Sequence, residues 1–171
     1  MTSIAKATKD DFKLLAAIGT QTFIESHGHS APKPDIDSYV NEKYSDAFCQ
    51  KELNDVNNIY HLIYYEGKPA GYSKIIFNSP HPNIALQNIT KLERLYLLKD
   101  FYQLQLGKQL FHFNLALSKK NNQEGMWLFV WKENQRAINF YIKKDFIIIG
   151  SYDFKISAAH SNPNHQMFLQ Y

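Results

Sequence analysis

Residues 91–112, KLERLYLLKDFYQLQLGKQLFH, constrain the fold more than any other stretch of the chain. An apolar, β-type run from Leu92 to Leu98 leads into a short polar loop. From Gly107 the spacing becomes helical, with Leu106, Leu110, Phe113 and Leu117 on one expected face. A strand, a loop and a helix N-terminus in that order expose backbone amides that have no partner inside the helix. The dipole favours negative charge at the same place, so the segment is a candidate anion site. An ordinary strand-to-helix turn has the same outline.

A second patterned stretch follows about thirty residues on. A β-type run from Met126 to Trp131 precedes Asn134-Gln-Arg-Ala137-Ile138-Asn-Phe140-Tyr141-Ile-Lys143-Lys-Asp145-Phe146, which has helical spacing over residues 134–144. Asp145 is expected to end that helix in a left-handed conformation, which Asp tolerates better than most residues.

Together these stretches resemble the GNAT superfamily of N-acetyltransferases. There the loop reads Gln/Arg-x-x-Gly-x-Gly/Ala and the later helix reads Asn-x-x-Ala-x-x-Phe-Tyr-x-Lys-x-Gly-Phe. Tyr102 stands at the Gln/Arg position, Gln105 at the first Gly, and Asp145 at the last Gly, while Gly107 matches. The resemblance implies acetyl-CoA as cosubstrate and no metal. Its pyrophosphate would lie on the loop Gln103, Leu104, Gln105, Leu106, Gly107 and Lys108. Its pantetheine arm would run along the backbone of Leu95, Tyr96 and Leu97, beside Asn134 and Ala137. Asn134 also reads as a helix N-cap. Lys143 reads either as a CoA-phosphate contact or as a cation suited to a helix C-terminus.

Acetyl transfer to an amine needs a proton taken from the amine and one given to the departing thiolate. Tyr141 occupies the family's position for the acid facing the sulfur. A phenol is protonated at neutral pH, and a Tyr packed against a sheet has the same signature. Glu93, on the central strand, is the candidate base; a salt bridge with Arg94 or Lys91 is the competing reading. Period-two alternation sends Glu93 and Arg94 to opposite faces unless a bulge intervenes. Phe23, Glu25 and Tyr39 are the expected acceptor contacts, with a solvated Glu25 as the alternative.

Within the superfamily the chain most resembles bacterial spermidine/spermine acetyltransferases, through Thr22-Phe23, Ile89–Leu97 and Trp127-Leu-Phe-Val-Trp131-Lys-Glu-Asn134. That implies a primary amine acceptor and suggests a polyamine. Acetylation of protein N-termini or lysines is the alternative enzyme reading, and a non-catalytic CoA-binding regulatory module the alternative outside catalysis.

The 171 residues read as one domain, 1–171, with 44% hydrophobic and 20% charged residues. A net charge of +3 with scattered Lys and Arg does not favour nucleic-acid binding. The 12 Phe and 11 Tyr are taken as core. A single cysteine, Cys49, cannot form an internal disulfide and reads as a buried thiol of a reducing compartment. His27 and His29 are taken as loop residues rather than metal ligands. No signal peptide and no apolar run near the roughly 20 residues that span a bilayer are visible, so a soluble cytoplasmic protein is expected, with homodimerisation left open.

The expected order is a strand, two or three helices, three strands, a helix, a strand, a helix and two strands. The class is α/β (α+β): a mixed, mostly antiparallel sheet of about seven strands with helices on both faces. By resemblance, its central parallel strands, 91–98 and 126–131, splay apart.

Overall fold

A computed structural model describes residues 1–171. Seven strands, β1 (Thr2–Lys6), β2 (Ile59–Tyr65), β3 (Lys68–Ile76), β4 (Ile89–Leu97), β5 (Gly125–Trp131), β6 (Ile147–Lys155) and β7 (Ser161–Gln170), form one sheet in the order β1-β2-β3-β4-β5-β7-β6. Every pairing is antiparallel except β4 with β5. Helices α1 (Phe12–His27), α2 (Lys33–Lys43) and α3 (Asp46–Asn54) precede β2; α4 (Leu106–Lys120) joins β4 to β5, and α5 (Gln135–Ile142) joins β5 to β6.

Local chemistry accounts for the ends of these elements. The β2–β3 hairpin turns on Glu66 and Gly67, both at positive φ (50° and 78°), as a two-residue turn matched to strand twist requires. Thr8 and Asp11 form a capping box ahead of α1: the Thr8 amide donates to Asp11 Oδ2 at 2.7 Å, and the Asp10 amide donates to Thr8 Oγ1. Ser45 caps α3 by accepting from the Phe48 amide at 3.2 Å. Asp145 ends the α5 region at φ 66°, as the sequence led one to expect.

The sheet divides the core. On one face, α1, α2 and α3 bury Leu15, Ile18, Phe23, Ile36 and Val40 against Tyr60, Leu62 and Tyr72. On the other, α4 and α5 bury Phe111, Ile138 and Tyr141 against Ile75, Leu92, Met126 and Leu128.

The buried face of α4 keeps Leu106 and Leu110 of the expected set and adds Asn114 and Ser118, whereas Phe113 is 37% exposed. Two polar residues can be buried there because each finds partners. Asn114 Nδ2 donates to Ser73 Oγ at 2.8 Å, and Ser118 Oγ lies 2.6 Å from Thr90 Oγ1 and accepts from the Tyr171 hydroxyl. Strand β7 starts at Ser161, inside what reads as a loop. Pro163 is tolerated because its carbonyl accepts from the Lys132 amide just past the end of β5, where a missing N–H breaks no ladder.

Two irregularities in β4 prepare the site. Its pairing with β5 covers only Ile89–Lys91 against Gly125–Trp127, so residues 92–97 have no strand partner on that side. On its other side Lys74 pairs with Arg94 but Ile75 pairs with Leu92, which leaves Glu93 as the extra residue of a bulge.

Candidate active site

Two cavities meet where β4 and β5 part. The larger, about 390 Å³, lies on the α1–α3 side and is walled by those helices, by β3 to β5 and by the ends of β6 and β7. The smaller, about 330 Å³, lies between the loop after β4, the end of α1 and the start of α5. Leu95, Tyr96, Asn134, Ala137 and Tyr141 line both, forming their common wall.

The smaller cavity has the features of a phosphate site. Gln103 and Gln105 adopt left-handed φ of 70° and 58°, so the loop takes the turn for which glycine would be the usual choice. Gln105 is the N-cap of α4, whose first amides lack helical partners. Gly107 lines the cavity. The side chains of Gln103, Leu104, Gln105 and Lys108 are exposed. That of Leu106 is buried against Ile63, Ala70 and Leu110. Arg136, which the sequence reading passed over, stacks its guanidinium 3.6 Å from the centroid of Tyr102 and lines the same cavity. A cation thus stands beside the loop where Tyr102 replaces Gln or Arg. These open amides, the guanidinium and the unpaired edge of β4 suit a pyrophosphate followed by a narrow amide-bearing arm. Lys143 does not join them. It is exposed at the C-cap of α5, about 13.5 Å along the helix from Asn134.

Tyr141 is buried and its ring packs edge-on against Phe111, Phe140 and Phe146. Burial pushes its hydroxyl above the ordinary phenol range, so it stays protonated at neutral pH. Both readings of Tyr141 therefore hold at once: the ring is core and the residue lines both cavities. Asn134 likewise combines two positions. Its Oδ1 accepts from the Ala137 amide at 3.2 Å, capping α5 at the common wall.

Glu93 needs correction. The bulge turns Glu93 and Arg94 to the same face as Lys74, so the alternation expected of a regular strand fails here. The Glu93 carboxylate is clamped between the ammoniums of Lys74 and Lys91, the latter at 3.1 Å. Burial alone would raise its pKa. Lys74, Lys91 and Arg94 outweigh that and bring it to about 2. The ion pairs of the salt-bridge reading are thus present, and a carboxylate held that low is a weak base toward an ammonium.

Phe23 and Tyr39 line the larger cavity, stacked on each other at 4.8 Å. Glu25 does not. It borders the smaller one, where its Oε2 accepts from the Lys99 amide at 2.8 Å and its Oε1 from Gln21 Nε2, tying the loop after β4 to α1. Further residues of the larger cavity escaped the sequence reading, among them His27, Tyr44, Lys74, Asn162 and Asn164. Asn162-Pro163-Asn164 looks like loop, and nothing local marks it as a wall. His27, the last residue of α1, stacks on Phe23 at 5.1 Å, and burial, with His29 nearby, lowers its pKa to about 4. Cys49 is buried in the α1–α3 core, and burial raises its thiol to about 11. No helix is long and apolar enough to cross a membrane.

The arrangement has counterparts among known proteins. Residues 21–146 match the model of the acetyltransferase (GNAT) family. An uncharacterized N-acetyltransferase of Lactobacillus delbrueckii subsp. lactis is 26% identical, over 82% of each chain. One from Mycobacterium bovis is 28% identical, over 86% of this chain and 90% of its own. In fold, the chain is similar over its whole length to the PaiA N-acetyltransferase of Thermoplasma acidophilum solved with coenzyme A (TM-score 0.76, 18% identity, 99% of that chain covered). It is also similar to the ribosomal-protein-S18-alanine N-acetyltransferase of Escherichia coli (TM-score 0.70, 16% identity, 99% of this chain and 94% of that one). The reading as a non-catalytic module falls, and the splayed sheet is the expected one. The chain belongs to the GNAT family and is an acetyl-CoA-dependent N-acetyltransferase.

Proposed function

We propose that the protein, as one catalytic domain over residues 1–171, moves the acetyl group of acetyl-CoA onto the primary amine of a small molecule. The observation that carries this is the common wall: Tyr141, Tyr96 and Asn134 stand between a cavity suited to phosphates and one walled by aromatic rings. Acetyl-CoA supplies the activated thioester. The backbone of Gln103–Lys108 and the Arg136 guanidinium bind its phosphates, and the free edge of Leu95–Leu97 orients the arm. The Tyr141 hydroxyl, protonated because it is buried, gives its proton to the departing sulfur, and the proton that the attacking nitrogen loses as the amide forms restores the phenol through solvent. Glu93 stays ionised and fixes Lys74 and Lys91 along the floor of the acceptor cavity.

The enclosure of the acceptor cavity by α1–α3 and by β6–β7 favours a small acceptor over a protein N-terminus or lysine. A polyamine would bring several ammoniums to a cavity whose own charges lean positive, which speaks against that form of the acceptor. The test is release of free CoA thiol on mixing the protein and acetyl-CoA with small amines and, separately, with peptides bearing free N-termini or lysines. Small amines should give the higher kcat/KM. Faster turnover of the peptides would reverse the reading, and no amine-dependent release from any of them would refute it.

A further inference from the structure

The charges of the acceptor cavity do not cancel. Lys43, Lys74, Lys91 and Arg94 line it against only two carboxylates, Glu52 and Glu93. Lys74 is bound by both carboxylates, at 2.5 Å from Glu52 Oε2, and Lys91 by Glu93. Lys43 pairs with Glu42 at 2.9 Å. Arg94 is left. Its neighbours are the Tyr60 hydroxyl, to which it donates at 3.4 Å, and the ring of Tyr44, 4.9 Å away. Tyr60 cannot supply the missing charge. Burial first, and its hydrogen bond to Glu52, push its hydroxyl above the ordinary phenol range, so it is neutral.

Arg94 is half-buried, the neighbouring Glu93 carboxylate is already shared by Lys74 and Lys91, and the planar fork of guanidinium donors matches a carboxylate or phosphate. The same cavity is otherwise walled largely by rings, including Phe23, Tyr39 and Phe154. An anion receptor and an apolar wall therefore share one cavity with Tyr141.

We propose that the acceptor is an amine that also carries an anionic oxyacid group, a carboxylate or a phosphate, bound by Arg94. This rests on the reading of the larger cavity as the acceptor site. Arg94 precedes Tyr96 by two residues, about 7 Å along a strand, so the anion lies a short chain's length from the common wall.

The test compares four acceptors on one aliphatic or aromatic skeleton: the amino acid, its primary amide, its decarboxylated amine and the corresponding aminoalkyl phosphate. For the wild-type protein, either anionic amine should exceed both neutral-ended amines in kcat/KM by roughly 10- to 100-fold, the range of a charge-assisted pair. The better of the two names the anion. Arg94→Met should erase that preference while leaving kcat/KM for the decarboxylated amine and the Kd for acetyl-CoA within about threefold. Arg94→Lys should restore part of it. Equal or faster turnover of the decarboxylated amine or of spermidine by the wild type would overturn the proposal and leave the acetyltransferase reading standing. Arg94→Met lowering all four acceptors alike would also overturn it, making Arg94 a structural residue. Absence of amine-dependent thiol release with every acceptor would overturn both readings.

Discussion

Glu93 and Arg94 are consecutive on β4 yet face the same cavity, because Glu93 is the extra residue of a bulge opposite β3. One side chain is a carboxylate locked between two ammoniums, and the other is a guanidinium with no carboxylate of its own. A regular strand would have buried one of them against α4. The bulge instead concentrates charge at the place where the sheet opens.

Removal of the carboxylate tests the clamp. Glu93→Gln should lower stability at pH 7 by about 2 kcal/mol, the scale of a hydrogen bond to a charged group. The pH dependence follows from the sign of the shift. A carboxyl whose folded pKa is depressed, here to about 2, stabilises the fold above its unfolded value. That contribution is lost as pH falls from the ordinary carboxylate range through about 2. Denaturant unfolding of wild type and variant should therefore converge between about pH 4.5 and pH 2. In turnover, kcat should fall less than about tenfold, since a general base removed outright typically costs 10²-fold or more. A larger loss that moved the acid limb of the pH–rate profile would make Glu93 the base.

Tyr141→Phe keeps the ring that Phe111, Phe140 and Phe146 hold and deletes only the hydroxyl. Its melting temperature and acetyl-CoA Kd should stay near wild type while kcat falls on the order of a hundredfold. With burial holding the hydroxyl above the phenol range, its ionisation should add no alkaline limb below about pH 10. A rise in acetyl-CoA Kd at unchanged kcat would make the hydroxyl a binding group.

The left-handed conformation of Gln105 predicts a graded series. Gln105→Gly should hold stability and acetyl-CoA affinity, or improve them, because glycine meets no Cβ penalty at φ 58°. Gln105→Val should cost about 1–2 kcal/mol and weaken acetyl-CoA binding, since a β-branched residue resists that region. Thermal shifts with and without acetyl-CoA report both effects. Equal tolerance of Val and Gly would mean that the loop conformation does not matter.

Gly19 lies against the ring that carries Arg94. A Cβ there would stand 2.3 Å from Tyr44 Cδ1, and Tyr44 is buried. Gly19→Ala must displace that ring, with an expected loss of about 1–3 kcal/mol. Because Tyr44 shares a cavity wall with Arg94, the acceptor KM should rise more than the acetyl-CoA KM. Identical changes in both would separate the packing defect from the acceptor site.

The motif-bearing parts of the chain were legible because their signals are local. Strand, loop and helix around residues 91–112 and the Asn134–Phe146 segment with Tyr141 each depend on neighbours in sequence. What stayed hidden depends on distant partners. Asn114 and Ser118 break the apolar pattern of α4, and their burial is explained only by Ser73, Thr90 and Tyr171 from other elements. Asn164 becomes a cavity wall only because β7 lies between β5 and β6. The bulge at Glu93 has no turn residue to announce it, and while Lys91 lies two residues away in sequence, Lys74, the other partner that holds the carboxylate, comes from β3.

The brief parallel pairing of Ile89–Lys91 with Gly125–Trp127 has a consequence for how the molecule comes apart. Strands β1–β4 and β5–β7 are each continuously hydrogen-bonded, but the seam between them is three residues long. Amides on the open edge of β4 should exchange with deuterated water faster than those of β3 or β7 in the free protein. A cosubstrate arm lying along that edge takes the place of an absent strand, so acetyl-CoA should slow their exchange and couple the two halves of the sheet into one unfolding unit.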